Sequence, residues 1–267
     1  MELNDRVVLI TGASMGIGAA TALAFAEHPV RLALLARSEQ RLQTLAAELN
    51  ARPGVTALPL AADVSDRESV ARAVGRTQEA WGAIDILVNN AGVGMSSPIG
   101  EIDLILARQL FDINYWGAIH VTEAVLPDMR ARRDGLIINI SSIIGRRAMP
   151  GSGVYCSSKF ALNALSESMR VELRPHNIRV VSFYPGVTES EFSRNLLTGG
   201  SSVHGQGRMR PTPAAKVGQA IVRAASREPR DAYATLFDRF FVFSAAVAPW
   251  LMDWMLAKFY GKRTREN

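Results

Sequence analysis

A tyrosine and a lysine stand four residues apart in the segment GVYCSSKFAL, residues 153–162. On a helix that spacing puts Tyr155 and Lys159 on one face, one turn apart. A free phenol titrates near pH ~10 and is a poor acid–base group at neutral pH. A neighbouring ammonium favours the phenolate and lowers that value, which makes the tyrosine usable for proton transfer. The same pair is also common on ordinary surface helices, so the spacing alone does not choose between the two readings. Just upstream, Gly145 to Gly153 is a turn-rich stretch with Pro150 and three glycines.

What these residues can do depends on the elements that carry them. Six short runs are apolar throughout: VVLI (7–10), VRLALLA (30–36), TALPLA (56–61), IDILVN (84–89), LIINIS (136–141) and IRVVSFY (178–184). Such runs suit strands buried on both faces, which is the pattern of parallel sheets. Between them, residues 17–27, 38–50, 66–81, 101–131 and 155–174 have helical spacing. The alternation predicts an α/β fold, a doubly wound parallel sheet with helices on both faces. Residues 199–213, GGSSVHGQGRMRPTP, are rich in Gly, Ser and Pro and read as a mobile loop. Too little chain follows them for a second core, so they are not a domain linker.

Composition narrows the function classes. The chain has 267 residues, 48% hydrophobic and 21% charged, enough for a sizeable globular core. Its net charge of +5 is scattered apart from Lys258, Lys262, Arg263 and Arg265, so no nucleic-acid partner is expected. The single cysteine, Cys156, excludes an internal disulfide and reads as a small packing residue. His28, His120, His176 and His204 have no metal-ligand spacing, and no metal is expected. The N-terminus MELNDRVVLITG lacks the pattern of a signal peptide, which points to a cytoplasmic protein.

The first strand ends in TGASMGIG, residues 11–18. Gly12, Gly16 and Gly18 stand where a strand turns into a helix. Glycines there permit close approach of a pyrophosphate, and the helix N-terminus offers free N–H groups. Ser14 and Ile17 belong to the same candidate set. The spacing has a wider first gap than the usual GxGxxG fingerprint. The second strand ends LLARSEQRL, with Ala36 where an NAD site would place an acid and Arg37 next. A guanidinium suits a ribose 2′-phosphate, so NADP is expected in preference to NAD.

These segments occur with NNAG (89–92), FDINYWG (111–117), INISS (138–142), YCSSK (155–159) and YPG (184–186). In order and spacing they resemble the short-chain dehydrogenase/reductase family over about residues 5–190. The resemblance implies a single Rossmann-type domain with about seven strands, the seventh near AYATLF (232–237). It implies a catalytic set of Asn114, Ser142, Tyr155 and Lys159, with Asn114 holding a water in a proton relay. Cofactor contacts are implied at Asp63 and Val64 for the adenine, and at Asn89, Ala91 and Gly92. Pro185, Gly186 and one of Thr188 and Ser190 would lie beside the nicotinamide, and Ser190 replaces the family's threonine. Lys159 would also bond the nicotinamide ribose. The expected reaction interconverts an apolar ketone or aldehyde and an alcohol, with Tyr155 as acid–base and Ser142 stabilising the substrate oxygen. Homodimers or homotetramers are expected. A dinucleotide sensor without turnover, or a membrane-interface protein on the same fold, is the alternative.

The C-terminal stretch 237–260, FDRFFVFSAAVAPWLMDWMLAKFY, is more apolar than a surface helix needs. Its uncharged part, Phe240 to Met252, is too short to span a bilayer, and Pro249 interrupts it. Two readings stand side by side: an interfacial membrane segment, or a helix covering a partner subunit or the core. We take 1–236 as the catalytic domain, with a substrate loop about 187–213, and 237–267 as an extension.

Overall fold

The computed structural model describes residues 1–189, 192, 196–197 and 210–263. Strands β1 (Val7–Thr11), β2 (Arg31–Ala36) and β3 (Thr56–Ala61) come first, joined by helices α1 (Gly16–Phe25) and α2 (Glu39–Asn50). Helix α3 (Arg67–Trp81) leads to β4 (Ile86–Asn89), and α4 (Leu104–Phe111) and α5 (Gly117–Arg132) lead to β5 (Gly135–Ile140). Helix α6 (Gly153–Leu173) returns to β6 (Ile178–Tyr184). Two-residue strands β7 (Thr188–Glu189) and β8 (Thr212–Pro213) pair with each other. Helix α7 (Ala214–Arg227), strand β9 (Asp231–Tyr233) and helices α8 (Leu236–Val247) and α9 (Pro249–Arg263) complete the described chain.

The main sheet is parallel throughout, in the order β3-β2-β1-β4-β5-β6-β9. Successive residues of each strand feed opposite layers. Val8, Ile10, Leu32 and Leu34 pack with Phe25, Leu42, Leu49 and Ile221 of α1, α2 and α7. Leu9, Leu35 and Leu87 pack with Val74, Val121, Met129 and Leu173 of α3, α5 and α6. Each fully buried side chain of this size contributes about 1.5–3 kcal/mol, which is why the strands read as unbroken apolar runs. Winding reverses between β1 and β4. In sheets of this kind a cleft opens at that switch point, at the carboxyl ends of the strands.

Most expected elements begin and end within two residues of their structural bounds. Three differ. The helical stretch over 101–131 begins only at Leu104, after a 3₁₀ turn at Ile99–Glu101, and a π-helical turn over Asp112–Trp116 joins α4 to α5. The seventh strand is Asp231–Tyr233, because Thr235 caps α8 through a capping box with Asp238. The apolar tail breaks at Ala248, and α8 and α9 are bent by 108°. Among the described residues, no single helix is long and apolar enough to cross a membrane.

Candidate active site

A cavity of about 710 Å³ opens at the switch point. Gly12, Ser14, Gly16 and Ile17 form its floor. Gly12 has φ +64° and Gly16 φ +56°, backbone conformations that side chains disfavour. Gly18 lies behind the floor, where a Cβ would collide with the Gly12 carbonyl and approach Asn90 Nδ2 to 2.6 Å. Helix α1 starts at Met15 with no side chain capping its first N–H groups. By contrast, α3 has Asp66 accepting from Glu68 N–H and Ser69 N–H. An uncapped helix start facing a cavity across glycines fits a pyrophosphate.

Further along the same wall lie Arg37, Ser38, Asp63 and Val64. Asp63 Oδ1 accepts from Ser65 N–H at 2.9 Å, which fixes the turn after β3. Arg37 is exposed and carries no ion pair among the described residues, so its guanidinium is available.

The strand end at 89–92 is held by a threonine. Thr11 Oγ1 accepts from both Asn90 N–H and Ala91 N–H at 2.9 Å, and Asn90 Nδ2 donates to Thr11 O at 2.9 Å. Asn90, Ala91, Gly92 and Val93 line the cavity. Asn89 does not line it. Its Nδ2 donates to Asn139 Oδ1 at 2.9 Å and Thr122 Oγ1 at 3.1 Å, tying β4 to β5 and α5. Strand alternation explains the exchange: Asn89 belongs to the strand and points between sheet and helix, whereas Asn90 lies one residue past it. The doubled asparagine was the only sequence signal.

The chemical groups gather at the other end. Lys159 is 4% exposed, and its Nζ donates to Ile140 O at 2.9 Å. It lies 5.9 Å from the centre of the Tyr155 ring. Tyr155 is partly buried and hydrogen-bonded to Ser142. Ser142 Oγ accepts from Ile144 N–H at 3.3 Å and donates to Pro185 O at 3.4 Å. The structure thus brings Ser142, Tyr155 and Lys159 together at one wall. Asn114 sits behind Gly92 in the π turn. Its Oδ1 accepts from Val93 N–H at 2.8 Å, and its Nδ2 donates to Val93 O at 2.9 Å and Ser158 Oγ at 3.1 Å. The side chain braces this wall and does not line the cavity.

Burial sets the proton affinities here. Desolvation pushes the Lys159 ammonium down to about 8. Desolvation also pushes the Tyr155 phenol up, and its bond to Ser142 opposes this only in part. The expected depression of Tyr155 by Lys159 is therefore not met in this geometry. The cost of taking the phenolate out of water dominates, with the bond to Ser142 acting against it.

Pro185, Gly186, Val187 and Thr188 close the cavity from the β6 side. Thr188 Oγ1 donates to Gly186 O at 3.2 Å. Ser190 lies outside the described residues. Val93, Ile144, Phe192, Leu196 and Leu197 form an apolar mouth around Tyr155. The Phe192 ring meets Tyr155 edge-on at 5.7 Å, and Leu197 N–H donates to Gly94 O at 2.9 Å. No described residue of 237–260 lines the cavity. Among the described residues no cluster of metal-ligating side chains occurs.

Residues 6–199 match the family model for short chain dehydrogenases. The chain belongs to the short-chain dehydrogenase/reductase family. A relative from Anopheles gambiae, a dehydrogenase/reductase SDR family protein 7-like protein, is 34% identical over 96% of this chain and 84% of its own length. Among solved structures, a short-chain dehydrogenase from Burkholderia cenocepacia J2315 in complex with NADP is 27% identical with a TM-score of 0.79, covering 96% of this chain and 99% of that one. A family member from Burkholderia phymatum in complex with NAD has a TM-score of 0.83 at 22% identity, covering 94% and 96%. The chain is therefore an oxidoreductase of this family, whose fold binds a nicotinamide dinucleotide, and its seven-stranded parallel sheet is the family's.

Proposed function

We propose that the protein is an NADP(H)-dependent oxidoreductase that interconverts an apolar ketone or aldehyde and its alcohol. The observation that carries this reading is the meeting of Ser142, Tyr155 and Lys159 at the apolar end of a cavity whose other end is a glycine floor at a helix start. The bound dinucleotide supplies the hydride. Gly12, Gly16 and Ile17 accommodate its phosphates, and Arg37 pairs with a 2′-phosphate. Ala91, Gly92, Pro185 and Thr188 line the nicotinamide end. Ser142 donates to the substrate oxygen and stabilises the charge that develops there. Tyr155 delivers the proton to that oxygen. Burial raises its proton affinity, so the phenol carries the proton to be delivered. Lys159, held by Ile140 O, lends positive charge to the tyrosine left behind. Val93, Ile144, Phe192, Leu196 and Leu197 favour a steroid-like, lipid-like or aromatic carbonyl.

NADPH oxidation measured across steroids, fatty-acyl carbonyls, quinones and small aldehydes tests this. Turnover should concentrate among the larger apolar carbonyls. Nucleotide binding without turnover on the whole panel would leave a sensor instead.

We assign the catalytic domain to 1–236, with a substrate loop over 187–213, and surface contact to 237–267. The outward face of α8 and α9 exposes Phe240, Phe243, Val247, Trp250 and Trp254. Of the two acids in 236–263, Asp238 is buried and Asp253 pairs with Arg147. That face thus offers aromatic and cationic groups without free negative charge, which suits an anionic lipid surface. Substituting Phe240, Trp250 and Trp254 by Gln should abolish flotation with anionic liposomes; unchanged flotation rejects the contact. The exposed Trp116, Phe160 and Val171 on and beside α6 fit the expected homodimer or homotetramer.

A further inference from the structure

The turn Pro185–Gly186 is held from two sides. Toward the catalytic wall, Pro185 O accepts from Ile143 N–H at 3.1 Å and from Ser142 Oγ at 3.4 Å. Toward the tail, Gly186 N–H donates to the carboxylate of Asp238. Asp238 stands in the first turn of α8 and is 3% exposed. Its Oδ2 accepts from Thr235 N–H at 3.0 Å, and its own N–H donates to Thr235 Oγ1 at 3.1 Å. The second oxygen, Oδ1, faces Gly186 so closely that a Cβ on that glycine would collide with it.

Two features exceed what a helix cap needs. Capping carboxylates ordinarily sit at exposed helix starts, where solvent carries part of their charge. This one is buried, and desolvation raises its proton affinity against the hydrogen bonds from Thr235 and Gly186 and the charge of Lys216. Gly186 is also absent from the glycines with positive φ. Its backbone conformation does not demand glycine; the approach of Asp238 does.

We propose that Asp238 is a positioning residue for the reaction. It fixes the turn that borders the nicotinamide end of the cavity and, through Pro185 O, the hydroxyl of Ser142. The first turn of α8 is then part of the active-site frame, although the cavity wall itself contains no described residue of the tail. This rests on the reading of the cavity as a dinucleotide oxidoreductase site.

The test is a double-mutant cycle in the full chain, with Asp238→Ala, Gly186→Ala and the pair, and with Asp238→Asn as a near-isosteric variant. NADPH binding is read by fluorescence, and kcat and substrate KM on the best carbonyl of the panel. Losing a hydrogen bond to a buried carboxylate should lower kcat or NADPH affinity about ten-fold in Asp238→Asn, with substrate KM nearly constant. Gly186→Ala should be severely impaired in the wild-type background and much less so when Asp238 is Ala, because the colliding oxygen is gone. Equal impairment by Gly186→Ala in both backgrounds overturns the proposal. So does an Asp238→Asn protein that is less heat-stable but normal in kcat and NADPH affinity. A wild-type protein that binds no NADPH overturns the underlying reading as well, and is distinguished by failing before any variant is compared.

Discussion

At the β1–β3 end of the cavity the floor is largely backbone. Glycines 12 and 16 present bare main chain and an uncapped helix start, and the nearby charge, Arg37, is exposed. At the β4–β6 end the wall is a network of side chains. Lys159, Ser142 and Asn114 are buried there, and each is hydrogen-bonded to backbone or to another functional group. At this second end burial shifts the proton affinities of Tyr155 and Lys159. On the proposed function, the first end binds the dinucleotide and the second moves a proton. Substitutions at the two ends should therefore fail in different ways.

The division breaks most visibly at Tyr155. Tyr155→Phe should lower kcat by about 10³-fold, in the range of lost general acid catalysis, with NADPH affinity nearly unchanged. A parallel fall in fluorescence-measured affinity would erase the distinction between the ends. Arg37→Asp should shift the ratio of kcat/KM for NADPH over NADH toward NADH by about ten- to a hundred-fold, as expected for a lost charge-assisted pair. An unchanged ratio would place phosphate recognition elsewhere. The smallest expected effect concerns pH and stability. The folded-state value of Lys159 is about 8 against 10.5 for a free lysine. Between those values the unfolded chain binds more protons, so this group makes stability rise with pH. Tyr155 acts oppositely, but only above the ordinary phenol range near 10. Melting temperatures of wild type minus Lys159→Met, measured without nucleotide, should increase by a few degrees from pH 8 towards 10. A flat difference would mean that the lysine is solvated.

The sequence carried the strands, the glycine turn and the Ser142–Tyr155–Lys159 set because each has a local signature. The buried runs are continuous, and the glycines and the four-residue spacing are visible one at a time. Other features lack such a signature. The π turn at Asn114 adds a residue to a helical pattern without altering its hydrophobic face, so 101–131 reads as one helix. Asn89 and Asn90 are the same residue type on opposite sides of a strand end, and only the register shows which one meets the cavity. Thr235 and Asp238 spell an ordinary capping box. The burial of Asp238 arises when β6 brings Gly186 against it from fifty residues away, which no local pattern records.

The two borders of the sheet set a limit on how copies of this chain can meet. One border, β3, contains Pro59, which has no N–H to offer a further strand. The other, β9, is three residues long, and its Asp231 is engaged by Arg146, Arg230 and Tyr184. Short, charged or proline-bearing margins resist edge-to-edge pairing. Both margins of the sheet therefore disfavour extension by a further strand and so limit edge-to-edge pairing between copies.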